Sequence, residues 1–161
     1  MTAGLNTQLY SMVMSLMISS VGPSGHECLA QNIYFEARNQ SHIGMLAVGH
    51  VTLNRVEDSR YPDNICGVVK QQRFHDSPGA PIQIGNCQFS WYCDGKSDTP
   101  RDQLAWEIAK RKAAHVYYLD HLGYDMTEGS THYHATDASP NWVSSLTRIV
   151  QIDDHIFYRW E

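Results

Sequence analysis

The sequence predicts a mainly helical α+β fold, a single domain of helices closed by a small β element. Three observations carry this. Residues 24–38, 42–57 and 99–122 show helical apolar spacing with capping residues at their starts. Towards the C-terminus that period gives way to short alternating runs at 131–135, 149–152 and 155–158. The length of 161 residues suits one core, and neither an internal repeat nor a linker divides it.

In the first of these helices Ser24 is the expected N-cap, and Glu27, three residues on, can reach back to close a capping box. Leu29, Ile33 and Ala37 follow at i, i+4, i+8 as one apolar stripe. Glu36 falls on the edge of that stripe rather than on the solvent side. Partial burial raises a carboxylate's pKa, which is the preparation a general acid needs. The competing reading is a helix carboxylate paired with Arg38 or another base.

Ser41 is the expected cap of a second helix, 42–57, with Ile43, Leu46, Ala47, His50, Val51 and Leu53 on its apolar face. Gly44 and Gly49 allow a neighbouring helix, the one carrying Glu36, to come close. A turn at 61–64 leads through a cap at Asp63 or Asn64 into a short helix, 65–71. Residues 73–100 read as irregular, densest in the aromatic block Cys87-Gln88-Phe89-Ser90-Trp91-Tyr92-Cys93-Asp94-Gly95. Thr99-Pro100 signals the start of a long helix that stops at Gly123, with Leu104, Ile108, Ala109, Val116 and Leu119 on its core face. Asp153-Asp154 is the expected turn of a closing hairpin.

Residues 1–25 contain no Asp, Glu, Lys or Arg. Leu5, Leu9, Met12, Val13, Leu16 and Met17 keep helical spacing, so residues 1–22 read as a helix packed on the domain. The positive n-region of a signal peptide is missing, and the run is too polar for a membrane span; a weak, releasable anchor is the alternative.

Apolar residues make up 42% and charged residues 18%, which places the chain among globular proteins. A net charge of -5 excludes a basic nucleic-acid-binding surface. Four Cys allow three full pairings; Cys87 and Cys93 could close a small loop, and buried free thiols are the other reading. No C-x-x-C or H-E-x-x-H pattern supports a metal site, and a site on His132, His134 and His155 has only their presence behind it.

Three stretches, in order, resemble one family. I-Y-F-E-A-R at 33–38 with L-N-R-V at 53–56, then the 87–95 block, then T-H-Y-H-A at 131–135, P-N-W at 140–142 and H-I-F-Y at 155–158 resemble the SleB-type cell wall hydrolases, which include spore-cortex-lytic enzymes and phage lysis proteins. The middle block resembles the phage endolysin branch. The resemblance implies a lysozyme-like, mostly helical fold and cleavage of the MurNAc–GlcNAc bond of peptidoglycan. It implies a lone catalytic glutamate, mapping to Glu36, with Gln88, Phe89, Ser90, Tyr133 and His134 as substrate contacts. From the residues alone, Phe89 and Trp91 read first as core aromatics, since large aromatics usually bury. The family often continues E-A-R-G-E, whereas this chain reads E-A-R-N-Q, so Gln40 stands where a second carboxylate is common.

Hydrolysis of a glycoside usually needs two carboxylates. Asp94 and Asp137 are the possible seconds, but Asp94-Gly95 reads as a turn and Asp137 lies in a polar loop. The resemblance implies a scheme that avoids the second carboxylate, and the residues fit it: the expectation is a lytic transglycosylase, with no cofactor, acting as a monomer on glycan strands. No nucleic-acid partner or stable membrane insertion is expected. The protein would be held in the host cytoplasm until release onto periplasmic peptidoglycan. A hydrolytic muramidase, a zinc-dependent amidase or peptidase, and a non-catalytic wall-binding or virion module are the alternatives.

Overall fold

The structure, a computed structural model, describes residues 7–9, 11–13, 15–16, 23–73 and 82–161. Among the described residues from 23 on, the helices are α1 (Pro23–Ala37), α2 (His42–Glu57), α3 (Ile65–Val69) and α4 (Gln103–His121). Three strands close the chain: β1 (His132–Ala135), β2 (Thr147–Ile152) and β3 (His155–Arg159). They form an antiparallel sheet in the order β1-β3-β2. The mainly helical fold with a small β element is the one the sequence predicts.

The α1 stripe is wholly internal, with Leu29, Ile33 and Ala37 all fully buried. Its start differs from expectation. Pro23, not Ser24, holds the first helical position, where a missing N–H costs nothing, and Ser24 lies one residue inside. Ser41 caps α2 as expected, accepting from the Gly44 N–H, and Asn64 caps α3 through the Gly67 N–H. Gly49 lets α2 approach both α1 and α4: a Cβ there would lie 3.3 Å from Ile33 Cδ1 and 2.6 Å from Val116 Cγ2. Gly44 instead faces the β2–β3 turn, where a Cβ would run into the Asp153 carboxylate.

The long helix also begins later than Thr99-Pro100 suggests. Tyr34 Oη accepts the Arg101 and Asp102 N–H groups at 3.2 and 3.1 Å, tying that backbone to α1. Asp102 then caps α4 by accepting from the Ala105 N–H. Ala109, Ala113, Val116 and Tyr117 supply the buried face, and Leu104 is exposed. Gly123, at φ +72°, makes the left-handed stop.

Both Cys pairs are bridged, Cys28 to Cys66 and Cys87 to Cys93. The first ties α1 to α3. The second closes the aromatic block, which holds a 3-10 turn at Ser90–Cys93. Trp91 stacks on Phe35 of α1 with centroids 4.6 Å apart. Its indole N–H donates to the buried Asn32 Oδ1 at 3.0 Å, while Asn32 Nδ2 donates to Thr52 of α2. Among the described N-terminal residues, 7–9, 11–13 and 15–16 are helical, with Leu9, Met12 and Leu16 exposed and Val13 half-buried. Leu5 and Met17 lie outside the described residues. No helix of the described residues is long and apolar enough to cross a membrane.

The sheet docks on α2 through Phe157, packed with Ala47 and Val51. The loop entering β1 is held by Asp125. Its carboxylate accepts from the Thr127 N–H and Oγ1, the Gly129 N–H and Asn54 Nδ2, at 2.7–2.9 Å. That clasp fixes where β1 starts, and so where Tyr133 points.

Candidate active site

Glu36 lies in the last turn of α1, and Tyr133 lies in the middle of β1. They are 97 residues apart in sequence, and the Tyr133 hydroxyl donates to Glu36 Oε2 at 2.7 Å. Burial pushes the Glu36 carboxyl above its ordinary range, against the Tyr133 hydrogen bond and the Arg55 charge, which hold it down. Tyr133 is itself raised well above the phenolic value by burial and by the Glu36 carboxylate. The hydroxyl is therefore a fixed donor, aimed at the oxygen that carries charge once Glu36 has given up its proton.

Two clefts flank this pair. One, of about 380 Å³, is lined by Glu36 with Asn39, Gln40, Ala135, Asp137, Asp154 and His155. The other, of about 670 Å³, is lined by Tyr133 with Arg55, Gln88, His132, His134 and Trp142 among others. A polymer lying across both would bring one of its bonds to Glu36.

Of the residues expected to contact substrate, Gln88, Tyr133 and His134 line the same cleft. In His134, Nδ1–H donates to its neighbour's carbonyl, Ala135 O, so Nε2 accepts from the Tyr158 hydroxyl at 3.0 Å, and the ring stacks on Tyr158. Ser90 is exposed at the start of the 3-10 turn and lines neither cleft. Phe89 is corrected outright: only 3% exposed, it lies beneath the Arg55 guanidinium, 5.0 Å from its ring centroid, with no face left for a sugar. Beside Tyr133, Trp142 also lines that cleft, edge-on to Tyr158 and near His132.

Arg55 is the residue whose part here sequence reasoning missed. It is 5% exposed, donates from Nε to Thr131 O at 2.7 Å, and is sandwiched between Tyr61 and Phe89. The signal was present: Val48, Thr52 and Arg55 fall at i, i+4, i+7 on the buried face of α2, an unusual place for a guanidinium.

Gln40 has a structural task. Its Oε1 accepts from the Asp154 N–H at 3.3 Å, while the Ser41 N–H donates to Asp153, clasping the β2–β3 turn to α2. An acceptor oxygen is what that clasp requires, and glutamine and glutamate both supply one. Asp94 is tied up with Lys96 in an exposed turn. Asp137, by contrast, lines the Glu36 cleft. The β1–β3 register sets His155 opposite Ala135 and His132 opposite Tyr158, so His155 lies on the other sheet face from His132 and His134. The three cannot converge on one ion.

The Cell Wall Hydrolase family model matches residues 39–158, about three-quarters of the chain. This chain belongs to the Cell Wall Hydrolase family. The match begins three residues after Glu36 and takes in Arg55, the aromatic block and all three strands. The spore cortex-lytic enzyme of Halalkalibacterium halodurans is 32% identical over 133 residues, 81% of this chain but 33% of that enzyme. That of Bacillus subtilis is 28% identical over 131 residues, 80% of this chain and 35% of the enzyme. The chain thus spans about a third of the length of these relatives. Among solved structures, the catalytic domain of the germination-specific lytic transglycosylase SleB from Bacillus anthracis superposes with a TM-score of 0.61 at 26% identity. The overlap covers 86% of this chain and 96% of that domain. The Bacillus cereus SleB catalytic domain gives 0.58 at 24%, covering 86% and 91%. This Cell Wall Hydrolase chain therefore matches a SleB catalytic domain nearly end to end, with Glu36 and Tyr133 meeting between its two clefts.

Proposed function

We propose that this chain is a peptidoglycan lytic transglycosylase that cleaves the MurNAc–GlcNAc bond with Glu36 as its single acid and base. The observation that carries the reading is the half-buried Glu36 carboxyl at the cleft, with the Tyr133 hydroxyl 2.7 Å from Oε2. Membership of the Cell Wall Hydrolase family and the likeness to the B. anthracis domain support it. Glu36, protonated, gives its proton to the glycosidic oxygen as the C1–O bond breaks. The carboxylate left behind is stabilised by Tyr133. It then takes the proton of the muramyl C6 hydroxyl as that oxygen closes on C1. The tethered hydroxyl has a high effective concentration, and no second carboxylate is required.

The test is mass spectrometry of muropeptides from digested sacculi. Products lighter by one water, with 1,6-anhydromuramyl ends, support the proposal. A hydrolytic muramidase is the second reading, because Asp137 lines the cleft that holds Glu36. Reducing ends only, with Asp137→Asn as inactive as Glu36→Gln, would establish that reading instead.

The proposal extends to a phage-type lysis role: a monomer that waits in the host cytoplasm and reaches periplasmic peptidoglycan through a separate membrane lesion. The support is the likeness of the 87–95 block to the phage branch. Expression alone in a Gram-negative host should be mild and a permeabiliser should cause rapid lysis; rapid lysis without one overturns this part.

A further inference from the structure

We propose that the cleft beside Tyr133 is a carboxylate subsite in which Arg55 and Arg73 receive an acidic group carried on the muramyl lactyl side chain. This rests on the glycosidase reading and adds what part of the glycan is recognised. Arg55 lines that cleft, is 5% exposed, and keeps a buried Nη1 with no hydrogen-bond partner. A guanidinium offers five donors, and one left over in a buried site costs free energy until an acceptor arrives. None of the ion pairs among the described residues involves Arg55. Of the groups whose charge acts on Arg55, Glu36 is the one carboxylate, and that charge is lost when Glu36 carries the proton it must donate.

The lining has a matching sign. Among the described residues, Arg55, Arg73 and the two histidines His132 and His134 line the cleft without any Asp or Glu, in a chain whose net charge is -5. Burial, with the charges of Arg55 and Arg60, pushes His132 down to about 4, so the ring is neutral and ready to donate or accept. A pocket lined by two guanidinium groups next to a general acid favours an anionic substrate group, and that anion in turn favours the protonated form of Glu36. On peptidoglycan the acidic groups nearest the MurNAc–GlcNAc bond are carried on the lactyl substituent of the muramyl ring. That substituent is a free carboxylate on bare strands and bears the stem-peptide carboxylates on substituted ones.

The experiment uses three glycan substrates: stem-bearing strands, strands stripped of stems by an amidase, and stripped strands with the lactyl carboxylate converted to a methyl amide. Binding is measured by tryptophan fluorescence on the Glu36→Gln protein, and turnover on the wild type. The amide strands should bind roughly tenfold or more weakly than the better of the other two, the scale of one lost charge-assisted hydrogen bond. Whichever of those two binds more tightly identifies the carboxylate. Arg73→Gln, at an exposed position, and Arg55→Gln should each shrink the difference towards unity. Equal binding of amide and carboxylate strands, or full discrimination retained in the folded Arg73→Gln and Arg55→Gln proteins, overturns the subsite. Carboxylate-dependent binding without any turnover by the wild type would leave the subsite standing and overturn the glycosidase reading.

Discussion

Tyr133→Phe isolates the hydroxyl that meets Glu36. The change removes one oxygen from a buried position and leaves the ring in contact with His155 and Phe157. The lost bond is a 2.7 Å hydrogen bond to a carboxylate, worth about 1.5–3 kcal/mol when the acceptor is charged. It stabilises only the deprotonated form of Glu36, so losing it raises the Glu36 pKa further. At about 1.4 kcal/mol per pH unit, the shift is at least about one unit. The limb of the pH–rate profile on which Glu36 loses its proton should move up by that amount. The maximal rate should fall by about tenfold or more, because the carboxylate formed as the leaving group departs loses the same stabilisation. The assay is initial release of soluble muropeptides from purified sacculi, from pH 4 to pH 9, with the thermal transition recorded alongside. A profile that falls in height without moving on the pH axis would refute the reasoning, since damage to packing alone lowers the rate at every pH.

Glu36→Gln should lower sacculus cleavage by at least about a hundredfold while leaving the fold intact, read by activity and circular dichroism together. Because native Glu36 is raised above its unfolded value of 4.5, the native state holds the extra proton between those two values. Stability should then fall as pH rises from about 4.5 through the native pKa, and that slope should flatten in Glu36→Gln, checked by urea titration at several pH values. Replacing Cys28 and Cys66 by alanine opens a loop of sequence separation 38 and should cost about 2–4 kcal/mol in the same assay. Gly49→Ala places a methyl against Val116 and Ile33 and should cost about 1–3 kcal/mol, lowering Tm without moving the pH profile of the remaining activity.

Local chemistry made several elements legible in advance. The Ser41 and Asn64 caps and the Gly123 stop depend on neighbours within a few residues, and all three occur as read. The Leu29-Ile33-Ala37 stripe put Glu36 at the edge of a buried face, where the structure also has it. The same logic failed where a distant group outbid a local one. Thr99-Pro100 is a good helix start, but Tyr34 takes the N–H groups of Arg101 and Asp102, so Asp102 becomes the cap. Phe89 stands in the right block for a sugar contact, but the buried Arg55 needs its ring.

What the sequence alone determined was therefore the order and kind of the elements, the face of α1 that carries Glu36, and a set of motifs in the right succession. Only the tertiary structure decided which of those motifs meet. The Tyr133–Glu36 bond spans 97 residues, and it depends on where β1 begins, which the Asp125 clasp to Asn54 sets. The burial of Arg55 at one cleft and the placement of Asp137 in the Glu36 cleft are likewise consequences of packing helix against sheet. Periodicity reports which side of an element is buried, because burial follows from a residue's neighbours along one helix or strand. It carries no information on which other element lies across the gap, and in this protein the proposed chemistry sits in that gap.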